Sequence, residues 1–435
     1  MTTEPAAAPR AGDALELSVG EVVHGGWCVC RQDDTGRVIF VRHALPGERV
    51  LATVTQATAR FARADATRIL QPSPDRVTPP CRYARPGGCG GCDWQHASLP
   101  AQRALKATVI RQQLSRIGGI DVEVEVQALD GHEGGEGGLG WRTAVQFAVS
   151  AAGTAGLRKH RSHQIVEIDR CLIAHDLVTD LDVTGKDWHG AQSVQVDVAP
   201  ATNEQGVLVT GPASAGQLPE IPADSVQLVR KAGARTPVRG RGYLTQRAAG
   251  RDWRVSLGGF WQVHPGAAGA LATAVLTAAD PQPGETALDL YCGAGLFAGV
   301  LAEAVGPDGA VIAIEQDPQS VRDARHNLRS WPWAQVRRGD VAAALGRPGL
   351  GNVAVAVLDP PRAGAAGKVI EALCGRGALS GSVLRRIAYV SCDPATLARD
   401  LRLLLDGGWR LAGLRGYDAF PMTHHVECVA TLTRD

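Results

Sequence analysis

Short runs in which apolar and polar side chains alternate fill the first part of the chain. The runs are LELSVGEVV, GWCVCRQ, RVIFVRHAL, ERVLATVTQA and FARADATRIL, and Asp-Asp-Thr-Gly or Pro-Gly signals separate them. A period of two predicts strands with one buried face, and the intervening residues predict turns. Five such strands in a row predict a small OB-like β-barrel at residues 13–72, after a leader at residues 1–12 that we expect to be disordered.

The last predicted strand of this barrel carries a mixed pattern of charge and aromatic character. Arg60, Phe61 and Arg63 lie close together on it. Barrels of this type often bind single-stranded nucleic acid through such residues. The same pattern is typical of a solvated edge strand, so both interpretations stay open on pattern alone.

The pattern changes after the barrel. Proline-rich residues 71–80 mark a boundary, and a central α/β domain is predicted over residues 73–255. A capping serine and a helical apolar stripe predict a helix at residues 98–117, which could pack on the C-terminal domain. The sequence DGHEGGEGGLG at residues 130–140 predicts a flexible loop, since it lacks the Gly-Lys-Ser/Thr ending of a phosphate-binding loop.

From about residue 284 onward, apolar strand patterns alternate with helical ones. TALDLYCGAG, AVIAIEQD, AQVRRGD, VAVAVLDPPRAG and RRIAYVSCDP each lead into a helical run, and two strands close the chain. This alternation predicts a doubly wound, Rossmann-like α/β domain at residues 256–435. The terminal hairpin predicts one reversed strand at the edge of a mostly parallel sheet.

Composition is that of a globular chain, with 45% hydrophobic and 20% charged residues among 435. The first residues lack the regions of a signal peptide, and no apolar stretch is long enough to cross a membrane, so we expect a cytoplasmic protein. Net charge is only +1, so any surface for nucleic acid must be local. Eight basic residues against one acid between Val229 and Arg254 predict either a solvated face or a surface that follows phosphates.

The stretch DLYCGAG, residues 289–295, is a glycine-rich turn between a predicted strand and helix, where a backbone can approach a ligand closely. Glu315 ends the next strand, where an acid can accept hydrogen bonds from ribose hydroxyls, so NAD remains possible on this motif alone. Asp340 and Asp359 end the following strands, and no lysine or arginine accompanies the turn. Such an acidic crevice suits the cationic ligand S-adenosylmethionine better than an anionic dinucleotide.

A cysteine, Cys392, follows a buried strand in SCDPATLARD, at the carboxyl edge where open α/β sheets bind ligands. It is either a packing residue or a nucleophile. The motifs around it decide between the two. FWQVHPGAA, DLYCGAGLFA, AIEQDPQSVRDARHN, LDPPRAG, SCDPATLARDL and DAFPMTHHVE resemble those of the RNA uracil-5-methyltransferase family, in the family's order.

The resemblance implies a role for each matched residue. Cys392 matches the family's nucleophile and Glu427 its general base. Five residues would contact or frame S-adenosylmethionine: Gln262, Tyr291, Glu315, Asp340 and Asp359. Asp359 would also face the uracil ring. The family usually has asparagine where His264 and Asp393 stand here, and an acid beside the thiol tends to raise its pKa.

The chemistry of uracil requires these groups. Carbon C5 becomes nucleophilic only after a thiolate adds to C6, and a base must then remove the C5 proton so that the thiol can leave. Cytosine-5 enzymes resemble this core but carry a second cysteine after the proline of the fourth motif, where this chain has DPPR. Uracil is therefore the favoured base. A non-catalytic RNA-binding protein on the same fold would be expected to have lost Cys392, Glu427 or the glycine turn.

Ten cysteines in a cytoplasmic protein indicate metal binding or catalysis where they cluster. Cys81, Cys89 and Cys92 form a C-x7-C-x2-C array, for which Cys171 or His96 could supply a fourth ligand. An iron–sulfur cluster is favoured over zinc and over free thiols. The resemblance favours Cys171, because the ribosomal-RNA branch of the family carries a four-cysteine [4Fe-4S] cluster with this distribution.

The barrel resembles a TRAM domain, which delivers RNA to several modification enzymes. Together with the cysteine array, it implies a uridine in large-subunit (23S) ribosomal RNA as the substrate, with no membrane or DNA partner. The alternative is a uridine in the T-loop of transfer RNA, although the transfer-RNA branch of the family lacks both features.

Overall fold

A computed structural model describes residues 9–31, 36–130, 136–230, 233–346 and 350–434. Three predictions fall partly outside these residues. They concern residues 1–8 of the leader, residues 33–35 of the first turn signal and residues 131–135 of the glycine-rich loop.

The N-terminal barrel consists of six strands rather than five. They are β1 (Ala14–Ser18), β2 (Val22–Val23), β3 (Trp27–Arg31), β4 (Val38–Arg42), β5 (Arg49–Ala57) and β6 (Phe61–Gln71), in the order β1-β5-β6-β4-β3-β2. The first predicted run splits into β1 and β2 at Gly20. A Cβ at this position would lie 2.5 Å from the Val29 carbonyl oxygen, so the close approach of the two backbones requires glycine.

The central part of the chain is largely β-structure, whereas a mixed α/β domain was predicted. After helix α1 (Leu99–Gln113) come β7 (Val126–Ala128), β8 (Ala144–Val149), β9 (Ala155–Arg158), β10 (Ile165–Glu167), α2 (Asp176–Thr179), β11 (Ser193–Ala199), β12 (Glu204–Thr210), β13 (Ser225–Val229), β14 (Arg235–Arg239), β15 (Tyr243–Ala248) and β16 (Arg251–Ser256). Seven strands form one sheet in the order β10-β9-β8-β11-β12-β13-β14, and β15 pairs with β16. In this region, the described residues include a single short α-helix, because alternating valines such as those of β11 favour strands.

The C-terminal part is the predicted doubly wound α/β domain. Its elements are α3 (Ala267–Ala279), β17 (Thr286–Leu290), α4 (Leu296–Val305), β18 (Ala310–Glu315), α5 (Pro318–Asn327), β19 (Ala334–Arg338), α6 (Val341–Leu345), β20 (Val353–Leu358), α7 (Gly367–Leu373), β21 (Arg386–Ser391), α8 (Pro394–Asp406), β22 (Arg410–Asp418) and β23 (Glu427–Thr433). The sheet order is β19-β18-β17-β20-β21-β23-β22-β7. The order reverses between β17 and β20, and ligands bind at such switch points.

The reversed strand does not lie at the edge, as was predicted, but inside the sheet. Strand β23 runs antiparallel to both β21 and β22. Its Cys428, Ala430 and Leu432 are fully buried, whereas the first six residues of β22 are exposed or partly buried. A strand that is apolar on both faces gains most from an interior position. The edge is formed instead by β7, which pairs with β22.

Two elements upstream of residue 256 pack on this C-terminal domain. Helix α1, with its N-cap Ser98, contacts α8 and β7, and its fully buried Lys106 lies 2.5 Å from Asp418. The β15–β16 hairpin packs on α5, where the backbone and hydroxyl of Ser256 donate to the carboxylate of Asp323. In the part of the chain that the structure describes, every helix is too short or too polar to span a bilayer.

Candidate functional site

The glycine-rich turn after β17 is held open by backbone geometry and by one acid. Tyr291, Gly293 and Gly295 all have positive φ, so the chain turns sharply at the carboxyl edge of the sheet. Glu315, at the end of β18, accepts hydrogen bonds from the backbone N–H groups of Gly293 (3.0 Å) and Asp317 (2.8 Å). One carboxylate oxygen of Glu315 therefore fixes the turn that a cofactor would approach, and the other fixes the backbone that leads into α5.

Of the other residues predicted to bind a cofactor, Tyr291, Asp340 and Asp359 lie at the same carboxyl edge of the sheet. Gln262 is buried, and burial raises the pKa of the half-buried Tyr291 to about 12. Asp340 is exposed and caps α6, where it accepts from Ala343 N–H at 2.8 Å. Asp359 follows β20, next to the switch point.

Sequence reasoning missed a further acid, Asp289, inside β17. It is fully buried, and neither carboxylate oxygen has a hydrogen-bond partner among the described residues. Burial raises the pKa of Asp289 well above its usual value, and the charges of Asp359 and Glu315 act in the same direction. An acid within an otherwise apolar strand, TALDL, was the signal that could have identified it.

Cys392 and Glu427 meet across two neighbouring strands. Ser391 of β21 pairs with Cys428 of β23 in antiparallel register, so the next residue of one strand faces the preceding residue of the other. Cys392 is half-buried and Glu427 is buried. The topology thus brings the predicted nucleophile and the predicted base to one point.

The charges around this pair are mostly negative. Burial raises the pKa of Cys392 to about 12, and the nearby acids Glu427, Asp359 and Asp393 act in the same direction, whereas Arg362 opposes them. Burial also raises the pKa of Asp359 to about 7, and burial together with Asp359 raises that of Glu427 well above its usual value. The neighbouring carboxyls of Asp359 and Glu427 cannot easily ionise together in a buried site, so these two acids hold a proton near neutral pH.

His264, which stands where the family usually has asparagine, is held by a hydrogen bond and by a ring contact. Its Nδ1 accepts a hydrogen bond from Gly266 N–H at 3.1 Å. The ring stacks on Trp141, with centroids 6.2 Å apart. These contacts show that the histidine shapes the turn that leads from Gln262 into α3.

The four predicted metal-binding cysteines line one cavity of about 270 Å³, with Tyr83, Gln95 and Arg142 among its other walls. Burial raises the pKa of Cys89 to about 11, and it raises those of Cys92 and Cys171 as well. The thiols interact electrostatically with one another. Within the described residues, no group of three or more His, Cys, Asp or Glu side chains is placed as metal ligands require.

His96, the alternative fourth ligand, lies apart from this lining. It is buried, and its Nε2 is 3.5 Å from the carbonyl oxygen of Ala44 in the barrel. Its ring also contacts that of His43. The cavity therefore assembles Cys171, not His96, with the three clustered cysteines.

A second, larger cleft of about 570 Å³ lies between the barrel and the central sheet. The described residues of its lining include five cations and one acid: Arg42, Arg63, Arg85, Lys159, Arg161 and Asp65. The guanidinium groups of Arg63 and Arg161 lie 5.6 and 5.9 Å from the centroid of the Trp27 ring. Positive charge beside aromatic surface is the composition that single-stranded nucleic acid requires.

The arginine-rich stretch at residues 229–254 is engaged within the protein instead. Arg241 pairs with Glu204, Arg247 with Asp252, Arg251 with Glu303 and Arg254 with Asp323, at 2.5 to 3.4 Å. Charges that are neutralised by neighbouring acids attract phosphates weakly. Four of the eight basic residues of the stretch are thus paired with acids of the protein, which supports the solvated alternative for these four. Of the cations that line the positive cleft, only Arg63 was singled out from the sequence.

Comparison with known proteins places these features in a class. Residues 11–67 match the TRAM domain, and residues 351–435 match the family described as tRNA (Uracil-5-)-methyltransferase. A tRNA (uracil-54, C5)-methyltransferase of Pyrococcus abyssi, in complex with S-adenosyl-L-homocysteine, has the same fold, with a TM-score of 0.71 and 22% identity over 96% of this chain and 100% of that chain. The fold is that of a methyltransferase with an N-terminal TRAM barrel.

Two relatives cover nearly the whole chain. An uncharacterized RNA methyltransferase of Streptomyces avermitilis is 48% identical over 97% of this chain and 98% of its own length. The 23S rRNA (uracil(1939)-C(5))-methyltransferase RlmD of Chromohalobacter salexigens is 33% identical over 99% of this chain and 92% of its own length. The chain therefore belongs to the RNA uracil-5-methyltransferase family, a class of S-adenosylmethionine-dependent enzymes that act on RNA.

Proposed function

We propose that this enzyme methylates C5 of a uridine in 23S ribosomal RNA through a covalent bond between Cys392 and C6 of the uracil. The observation that carries the mechanism is the register that sets Cys392 opposite Glu427, with the carboxyl of Asp359 close enough to influence both. This reaction needs a thiol as nucleophile, a carboxyl as base and a further acid that can face the ring. Cys392, Glu427 and Asp359 supply these groups at one point.

Each residue has a distinct step. The Cys392 thiol releases its proton to solvent, the thiolate sulfur bonds to C6, and the electron pair of the C5–C6 double bond moves toward the C4 carbonyl as an enolate. Carbon C5 then takes the methyl group. Glu427 removes the remaining C5 proton, the double bond re-forms, and the Cys392 sulfur leaves as thiolate.

Burial keeps the Cys392 thiol protonated in the RNA-free protein, because its pKa is raised to about 12. Arg362 is the nearby cation whose charge favours the thiolate. We therefore assign Arg362 to the stabilisation of the ionised nucleophile.

Five residues would hold S-adenosylmethionine, which supplies the methyl group: Gln262, Tyr291, Glu315, Asp340 and Asp359. The site fits this cofactor because the glycine turn leaves room for close approach and the surrounding acids favour a cation. Asp289 is buried below the turn, and burial raises its pKa well above the usual value, so it favours the protonated form and adds little charge.

We infer an iron–sulfur cluster held by Cys81, Cys89, Cys92 and Cys171 from the donor set that lines the cavity, although these side chains do not stand at the spacing of metal ligands here. Four thiols around one buried space are a soft donor set, which suits iron–sulfur clusters and, as the alternative, zinc. A bound cation would offset the cost of burying these groups as thiolates and so favour their deprotonation. The methyl transfer needs no electron, so we assign the cluster a structural role.

Ribosomal RNA is favoured as the substrate by the relative named for 23S rRNA, which covers nearly the whole chain, and by the positive cleft beside the barrel. The target ring must be unstacked to reach a thiol, so a single-stranded or loop uridine is expected. The test offers unmodified 23S rRNA and transfer RNA in competition and maps the methylated uridine. Labelling of 23S rRNA is expected from the wild type and none from Cys392→Ala. Preferential labelling of transfer RNA would refute the substrate, and an active Cys392→Ala enzyme would refute the mechanism.

A further inference from the structure

A turn of the barrel packs against the loop that precedes Glu427. Residues 24–26 connect β2 to β3, and Gly26 has a φ of +79°. A Cβ on Gly26 would lie 3.1 Å from the Cβ of His424 and 3.2 Å from that of Asp93. Trp94 donates its indole N–H to the Gly26 carbonyl at 3.3 Å. The turn is thus fixed between the cysteine-bearing segment and the loop that precedes Glu427.

The position of this turn places His24 beside Asp393, the residue that follows the nucleophile. Its Nε2 lies 3.2 Å from Oδ2 of Asp393. The other oxygen of Asp393, Oδ1, accepts from the backbone N–H groups of Ala395 (2.9 Å) and Thr396 (3.0 Å) and caps α8. The two carboxylate oxygens are therefore divided between the helix and the barrel.

The proton in this contact belongs to the histidine. Burial disfavours the charge of Asp393, but the hydrogen bonds from His24 and from the helix N-terminus lower its pKa to about 2. An ionised carboxylate only accepts, so His24 must be the donor.

We propose that His24 is a positioning residue for the methyl-transfer reaction. It holds the Cys392–Asp393 peptide in place and offsets the negative charge of Asp393 beside the thiol. The inference rests on the proposed role of Cys392 as the nucleophile. Cys392 is faced by the three acids Glu427, Asp359 and Asp393 and by the cation Arg362. The barrel contributes to this balance through His24, a donor that engages the second oxygen of Asp393.

The pairing explains why an acid is tolerated at position 393. Asparagine, the usual residue of the family, could still cap α8 through its oxygen and donate its amide N–H to the unprotonated nitrogen of the imidazole, but it carries no negative charge beside the thiol for His24 to offset. His24 and Asp393 therefore act as a pair, and His24 should matter only while residue 393 is an acid.

A double-mutant cycle tests this coupling. The rate of covalent capture of 5-fluorouridine RNA is measured at saturating RNA for the wild type, His24→Ala, Asp393→Asn and the double variant, and RNA affinity is measured separately. His24→Ala is expected to lower the capture rate about tenfold, the effect of one pKa unit in the thiol, with RNA affinity unchanged. In the Asp393→Asn background, the same substitution should change the rate less than twofold. His189→Ala, which removes an exposed histidine elsewhere, is the control.

Three results would overturn the inference: a wild-type rate for His24→Ala, an equal loss in both backgrounds, or a loss confined to RNA affinity. Failure of the proposed function is separable from these, because an active Cys392→Ala enzyme would reveal it independently of His24.

Discussion

Cys392 and Glu427 face each other one residue beyond the Ser391–Cys428 pair that joins β21 to β23. This relationship exists only because β23 is inserted between β21 and β22. Had the reversed strand been at the edge of the sheet, the base would lie a strand farther from the thiol. The insertion of an apolar strand therefore has a direct chemical consequence, since it places a buried carboxyl beside the nucleophile.

The first prediction separates the steps of these two residues. Glu427→Gln keeps the shape of the side chain but cannot remove the C5 proton, so the protein–RNA adduct should form and persist. Denaturing gel electrophoresis with labelled RNA should show a covalent complex that the wild type does not accumulate. Glu303→Gln, at an exposed surface glutamate, is the matched control and should turn over normally. Rapid turnover without an adduct would exclude Glu427 as the base.

The raised pKa of Asp359, about 7, predicts a pH-dependent stability. An acid whose pKa is higher in the folded state destabilises the fold once it ionises, so stability falls as pH rises from about 4 to about 7. Asp359→Asn removes this penalty. It should raise the thermal midpoint at pH 8 by a few degrees and change it little near pH 4. The comparison uses thermal unfolding of the RNA-free protein, and an equal effect at both pH values would contradict the assigned ionisation.

Local pattern predicted the elements that depend on neighbouring residues, and failed where distant segments meet. The N-terminal β-barrel and the doubly wound α/β fold were correctly predicted from pattern, because period-two alternation and glycine turns are local signals, whereas their assignment as TRAM and methyltransferase came from the resemblance. The interior position of β23 depends on which of two nearby strands it pairs with, and the contact between His24 and Asp393 joins segments hundreds of residues apart, and periodicity encodes neither. The arginines of residues 229–254 looked like an RNA surface because the acids that neutralise them, such as Glu204 and Asp323, lie elsewhere in the chain.

Glu315 gives a prediction for the cofactor that does not require RNA. Both of its oxygens accept backbone N–H groups, so Glu315→Gln would place an amide N–H₂ against one of these donors and disturb the glycine turn. We expect its affinity for S-adenosyl-L-homocysteine to fall about tenfold or more by titration calorimetry. Glu303→Gln serves again as the control. An unchanged dissociation constant would show that Glu315 neither binds the cofactor nor shapes its turn.

The cysteine cavity predicts a metal content. Purified without oxygen, the protein should be brown and contain about four irons per chain, the content of a [4Fe-4S] site. Serine at Cys81, Cys89, Cys92 or Cys171 should lower the iron content and bleach the absorbance. Cys374→Ser, at a half-buried cysteine outside the cavity, should keep both. Stoichiometric zinc without iron would overturn the assignment.

The positive cleft predicts how the enzyme holds RNA around the target uridine. Arg63 and Arg161 flank the Trp27 ring there, and each should release about one counterion when a phosphate binds. Deletion of the barrel is an unsuitable test, because it would also remove the turn that contacts Asp393 and His424. Arg63→Ala and Arg161→Ala should each weaken RNA binding and reduce the slope of log affinity against log salt by about one, while cofactor affinity stays constant. Arg68→Ala, an exposed arginine on the same strand as Arg63 but outside the cleft, should leave the slope unchanged. If Arg68→Ala lowers the slope as much as the cleft variants do, RNA follows another face of the barrel.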